Sequence, residues 1–171
     1  MNVSRSAACW LLAGFALCGC GTDYAWRSSV PQGMRTVSVP TFRNESDMQE
    51  AGALASRQLL REFQREGTFA IRGADDAALQ IQGTVKSVGS TVAAYDRRQS
   101  FRLSANDLTA VVAVSVVDKR RGKVLVDNKS YTASVPFVSS SDVSTVERDA
   151  SGRIMDDLAR QIVDDVLALK F

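Results

Sequence analysis

The sequence predicts an α+β domain: two amphipathic helices packed on one face of a mixed, mostly antiparallel sheet of about four strands. Three observations carry that prediction. Ala51, Leu54, Ala55, Leu59 and Phe63 recur at spacings of three and four, which makes one helical stripe. Leu79, Ile81, Gly83 and Val85 alternate with Gln80, Gln82, Thr84 and Lys86, a strand with one apolar and one polar face. Val146, Ala150, Ile154, Leu158, Ile162 and Val166 form a second, longer helical stripe at the end of the chain. Helices and sheet that are each apolar on one side satisfy one another in two layers.

The elements follow in chain order. Thr36 to Phe42 alternates and is β-rich, but Pro40 cannot donate to a ladder, so this strand lies at an edge or ends there. Arg43 to Asp47 reads as a turn, and Ser46-Asp47-Met48-Gln49 as a capping box. The first helix then runs for about 18 residues, with Arg57, Arg61, Glu62 and Glu66 largely off its stripe and Gly67 as its stop. Thr68 to Arg72 fits a short strand and Gly73 to Ala77 a turn. The Leu79 strand slips phase at Ser87-Val88, where a bulge or an end is expected. Ala94 to Asn106 is a polar, basic connection. Leu108 to Val117 is apolar on both faces, so it belongs in the middle of the sheet. Asp118 to Lys123 is a hairpin turn in which Gly122 can take positive φ, and Val124 to about Val135 returns as its partner. Pro136 to Ser141 reads as a serine-rich connection. Ser144-Thr145-Val146-Glu147 is a second capping box, and the last helix carries Ser151-Gly152 as its weak point.

Composition narrows the function. A chain of 171 residues suits one domain, and 21 Lys+Arg against 19 Asp+Glu leave a net charge of 21 − 19 = +2. There is no histidine. That removes Ser-His-Asp and Cys-His catalysis, HExxH zinc sites and His-containing zinc fingers. A charge near zero argues against a dedicated nucleic-acid binder. No Gly-rich phosphate loop, nucleophile elbow or EF-hand spacing occurs, and no cofactor or metal site is expected. Asp156-Asp157 and Asp164-Asp165 share one helix; a solvated helix face accounts for them unless a cavity shifts their pKa values.

All three cysteines, Cys9, Cys18 and Cys20, fall in the first twenty residues. Arg5, the apolar run Ala7 to Leu17 and the small residues Cys18-Gly19-Cys20-Gly21 have the layout of a signal peptide, too short to span a bilayer. Leu17-Cys18-Gly19-Cys20 resembles a bacterial lipobox. The resemblance implies cleavage after Gly19 and acylation of Cys20; an ordinary cleaved signal, with Cys20 incidental, is the other reading. Several acyl chains on one residue give stable anchoring. Gly21, in place of Asp, points to the outer membrane. The chain thus divides into a signal peptide 1–19, a lipidated tether 20–35 and a single domain 36–171, which has no thiol of its own.

Two basic groups stand out. Lys119, Arg120, Arg121 and Lys123 crowd the hairpin tip, and Arg97, Arg98 and Arg102 follow Tyr95-Asp96 in the polar connection. Such clusters attract phosphates or anionic headgroups, with Arg offering bidentate contacts. Charged turns that are simply solvated are the plain alternative.

The order of parts resembles a family. A lipobox Cys and short tether lead to Val37-Ser38-Val39-Pro40-Thr41-Phe42-Arg43-Asn44 and a helix ending Arg65-Glu66-Gly67. Ala77 to Val85, Tyr95-Asp96-Arg97, the strand–Lys119-Arg120-Arg121-Gly122-Lys123–strand hairpin and a C-terminal helix follow. This resembles the LptE-related lipopolysaccharide-assembly lipoproteins over nearly all of the mature chain. The resemblance implies a non-enzymatic outer-membrane lipoprotein, facing the periplasm, that plugs a large β-barrel translocon. It would assist assembly of that barrel and pass lipopolysaccharide to the outer leaflet. The partners implied are the barrel, lipopolysaccharide and, through the anchor, the membrane. In the family, basic residues on loops at the end of the sheet are associated with lipopolysaccharide contact. The Arg97–Arg98 loop and the hairpin tip match such positions, whereas Ser139 to Thr145 carries no Lys or Arg. The strand–Pro–helix opening also resembles periplasmic lipoproteins that activate wall synthases or build secretion channels. A lipid-anchored hydrolase working through paired carboxylates is the alternative from a different class.

Overall fold

A computed structural model describes residues 30–94, 104–139 and 143–171. Its strands are β1 (Thr36–Ser38), β2 (Arg43–Asn44), β3 (Ala70–Ile71), β4 (Leu79–Ala94), β5 (Ser104–Asp118) and β6 (Lys123–Ser139); its helices are α1 (Ala51–Glu66) and α2 (Val143–Leu167). The fold is the expected one, two helices on a mixed sheet, but the sheet has six strands where about four were expected. The extra strands are two-residue segments with no hydrophobic pattern to announce them.

The order is β3-β1-β4-β5-β6, with β2 also on β4. β1 pairs in parallel with β3 and β4, and β4-β5-β6 is antiparallel. β1 and β2 lie along the same side of β4, opposite Leu79–Gln80 and Thr84–Val85. They are one strand interrupted at Pro40, the outcome expected of a proline that cannot join a ladder. Arg43–Asn44 is therefore strand rather than turn: the N–H of Glu45 donates to Val85 O at 2.9 Å, and Lys86 pairs with Glu45 at 2.9 Å.

Neither expected capping box forms. The residue before α1 is Glu50, left-handed at φ 64° and without a side-chain cap bond. Ser46 is held instead in a local turn, its N–H and hydroxyl both donating to Asn44 Oδ1 at 3.1 and 2.7 Å. α2 is already running at Val143, so Ser144 lies inside it. The stop at Gly67 is as expected: φ is 81° and its N–H donates to Phe63 O at 3.1 Å.

β4 carries a register shift between Val85 and Ser87, where the phase slip was read. β4, β5 and β6 all run further than the sequence suggested, and β6 continues through Pro136, which sits opposite Asp107. Those extensions mix small, polar and apolar residues, Val88, Val92, Phe137 and Val138 among them, without a sustained alternation. Pro136 is tolerated because β6 is an outer strand.

The core lies between one sheet face and both helices. Leu79, Ile81 and Val85 of β4 and Leu108, Ala110, Val112, Val114 and Val116 of β5 meet Leu59 and Phe63 of α1 and Ile154, Leu158 and Ile162 of α2. Phe63 and Phe69 contact edge to face at 5.5 Å. Phe42 turns into this core from the gap between β1 and β2. It explains two glycines: a β-carbon on Gly83 would stand 2.3 Å from its ring, and one on Gly52 would stand 2.2 Å from its carbonyl oxygen.

Candidate functional site

The hairpin tip is built from Asp118. Asp118 and Lys123 are register partners at the ends of β5 and β6. The Asp118 side chain is fully buried, and its Oδ1 accepts the N–H groups of Arg120 at 2.9 Å and Arg121 at 3.1 Å. Gly122, at φ 64°, completes the reversal. The Lys119 N–H donates to Ala78 O at 2.9 Å, and its ammonium reaches Ala74 O. Arg121 Nε stands 3.9 Å from Asp118 Oδ2. A rigid turn thus presents Lys119, Arg120, Arg121 and Lys123, all exposed. The start of the described chain joins it. Val30 and Met34 are buried, and the Arg120 guanidinium lies over Gly33, 3.0 Å from where a β-carbon would be.

Arg97, Arg98 and Arg102 lie outside the described residues, as does Cys20. The strand ends that carry the arginines are described. Leu79 pairs with Asp118 and Ala94 with Ala105, so the two basic groups leave opposite ends of the sheet. β5 has 15 residues and spans roughly 45 Å. The tip thus lies at one end of the sheet and the strand ends that flank residues 95–103 at the other. The Ser139 to Thr145 connection begins at the arginine end.

Two carboxylates of α2, Asp157 and Asp165, are engaged in ion pairs. Asp157 takes Arg160 at 3.2 Å. Asp165 takes the Lys129 ammonium, which also sits 5.3 Å from the Tyr131 ring centre. The Lys129 hydrogen bond holds the Asp165 carboxyl below its usual range, and burial, then the bond to Asp165, pushes the Tyr131 phenol well above its own. These residues and Gln161 line an open depression of about 400 Å³. The cluster was missed in the sequence because it exists only once α2 lies on β6. Among the described residues no group of three or more acidic, Cys or His residues could hold a metal ion. No described helix is long and apolar enough to cross a membrane.

No curated protein sequence matches the chain. Solved structures do. A minor lipoprotein from Acinetobacter baumannii is 16% identical, with a TM-score of 0.52 over 79% of this chain and 94% of that one. Protein CT253 from Chlamydia trachomatis is 14% identical, TM-score 0.53, over 78% and 96%. Protein XCC0632 from Xanthomonas campestris is 14% identical, TM-score 0.51, over 81% and 89%. At such identities the likeness is one of fold. The deciding match is to the family model of LptE, lipopolysaccharide-assembly, over residues 34–166. The chain belongs to the LptE family. The match starts at Met34, where the chain enters the core beside the hairpin tip, and ends at Val166 in the last turn of α2. It thus takes in both helices, every strand and both basic groups. At family level this is a lipopolysaccharide-assembly lipoprotein.

Proposed function

We propose that this LptE-family chain is an outer-membrane lipoprotein subunit of the lipopolysaccharide translocon. In this reading it plugs and helps assemble a β-barrel partner and assists delivery of lipopolysaccharide to the outer leaflet, without catalysis of its own. The observation that carries the reading is the family match across the whole described fold. The absence of histidine in the chain supports a binding role. Cys20 is the anchor, acylated after cleavage at Gly19, and the domain faces the periplasm.

Arg97, Arg98 and Arg102 are the proposed contacts for lipopolysaccharide phosphates, through charge-assisted bonds. Lys119, Arg120, Arg121 and Lys123 were the other contacts expected. They leave the opposite end of the sheet from the strand ends that flank residues 95–103, which makes the tip a second group of cations.

The test is depletion combined with co-purification. Depletion lowers surface lipopolysaccharide and admits large hydrophobic antibiotics, and the acylated protein brings down a large barrel. An intact barrier, with a wall synthase as the captured partner, overturns the proposal. Arg97→Ala/Arg98→Ala lowers lipopolysaccharide capture more than tenfold at low salt while the melting temperature holds, since a decade is ~1.4 kcal/mol and each partly desolvated contact is worth ~1.5–3 kcal/mol.

A further inference from the structure

Three features meet at one end of the sheet. The first is the tip itself, four exposed cations on a turn fixed by Asp118. The opposing charge nearby is modest: Asp75 and Asp76 lie in the loop that Lys119 grips at Ala74, and Asp118 is buried beneath. The second is Val124, next to Lys123 and 50% exposed, the large apolar side chain left open to solvent among the described residues. The third is the point where the tether enters. Val30 is buried and Gly33 lies under Arg120, so the chain reaches the domain at the tip.

Cys20 stands ten residues before Val30, and ten residues span at most ~36 Å. An anchor at Cys20 therefore keeps the tip end, where the tether enters the domain, within that reach of the bilayer. The tether itself carries Tyr24, Trp26 and Arg27, residue types that favour the headgroup layer.

We propose that Lys119, Arg120, Arg121 and Lys123, with Val124 beside them, form a docking face for the anionic phospholipid surface in which the chain's own anchor sits. This rests on the acylation of Cys20 proposed above. Juxtamembrane cations are drawn to anionic headgroups within about a Debye length. The tether confines them near the surface, so contacts that form within that range act at high effective concentration. Docking holds the hairpin end of the sheet at the membrane surface, with Ala94 and Ser104 at the opposite end of the strands.

The test uses the mature acylated protein. Its only cysteine, Cys20, is blocked by the acyl group, so Val124→Cys provides one free thiol for a fluorophore. The protein is placed in vesicles of phosphatidylcholine alone, with phosphatidylglycerol, or with lipopolysaccharide, each containing a headgroup quencher. The expected result is at least fivefold stronger quenching with phosphatidylglycerol than with phosphatidylcholine. It is lost in 0.5 M salt, lost in a variant with all four tip cations changed to Gln, and absent for a probe at Ser134→Cys, near the other end of β6. Equal quenching in phosphatidylcholine, no loss in the four-Gln variant, or quenching that requires lipopolysaccharide overturns the proposal. Mass spectrometry of the same sample reports acylation separately. If Cys20 carries no acyl chain, the anchoring reading falls, and with Cys20→Ser added so that Val124→Cys is again the one free thiol, the vesicle measurement reads the tip alone. Salt-sensitive recruitment to phosphatidylglycerol then supports the docking face, and no recruitment overturns it.

Discussion

Each helix carries one glycine, and the two do opposite things. Gly52 lies in the first turn of α1, where a β-carbon would meet the Phe42 carbonyl oxygen at 2.2 Å. Gly152 lies inside α2, where a β-carbon would meet nothing within 4 Å. The first glycine lets a helix touch the backbone of the strand that precedes it. The second costs helix propensity and gains no contact. The difference shows that α1 is docked by backbone approach as well as by its stripe, whereas α2 is docked by its stripe and by one ion pair at its rim, Lys129 with Asp165.

That contrast can be broken in three ways. The largest effect is expected where the helices do not differ. Leu59 and Ile154 are both fully buried, so Leu59→Ala and Ile154→Ala each destabilise by about 3–4 kcal/mol in urea unfolding. A much smaller loss at Ile154 would mean that α2 is loosely held. Next come the glycines. Gly52→Ala destabilises by about 2 kcal/mol, because helix or strand must shift to admit a methyl group. Gly152→Ala stabilises by about 0.5–1 kcal/mol. The same sign at both sites would end the distinction.

The smallest effect is at the rim of α2. The Asp165 carboxyl titrates below its ordinary range in the folded state, chiefly through the Lys129 hydrogen bond. Its contribution is therefore complete at neutral pH and disappears as pH falls through the ordinary carboxylate value near ~3.9 and below. The side chains are 51% and 39% exposed, so the pair is worth at most about 1 kcal/mol. Lys129→Met should lower the urea midpoint slightly at pH 7 and leave it nearly unchanged at pH 2.5. An equal loss at both pH values would assign the effect to the lost contact with Tyr131 rather than to the charge.

The parts legible in the sequence were those governed by period or by backbone need. The stripe of α1, the alternation from Leu79 to Val85, the doubly apolar β5, the bulge after Val85, and Gly67 and Gly122 all carry a local signal. β2 and the far ends of β4, β5 and β6 carry none. They are held by partners brought in from elsewhere in the chain. The capping boxes failed because competing geometry won: Asn44 captured Ser46, and α2 began before Ser144. Of the candidate sites, the charge on the tip was plain, but its burial at Asp118 and its neighbour Gly33 need the fold. The separation of the two basic groups was legible. Consecutive connections in an antiparallel run leave opposite ends of the sheet, and the order β4-β5-β6 was already read.

β6 has a further consequence. It is an outer strand of 17 residues, and among the described residues no strand pairs with its second side. Such an edge invites a foreign strand to add on, and a chain waiting in the envelope for a partner would meet many. Two residues spoil the template. Asn128 turns to φ 45° where the pairing shifts, its N–H taken by the Ser115 hydroxyl at 2.9 Å, and Pro136 has no N–H to offer. The stretch between them, Lys129 to Val135, is the part of that edge left regular, so a strand adding on would find a short template.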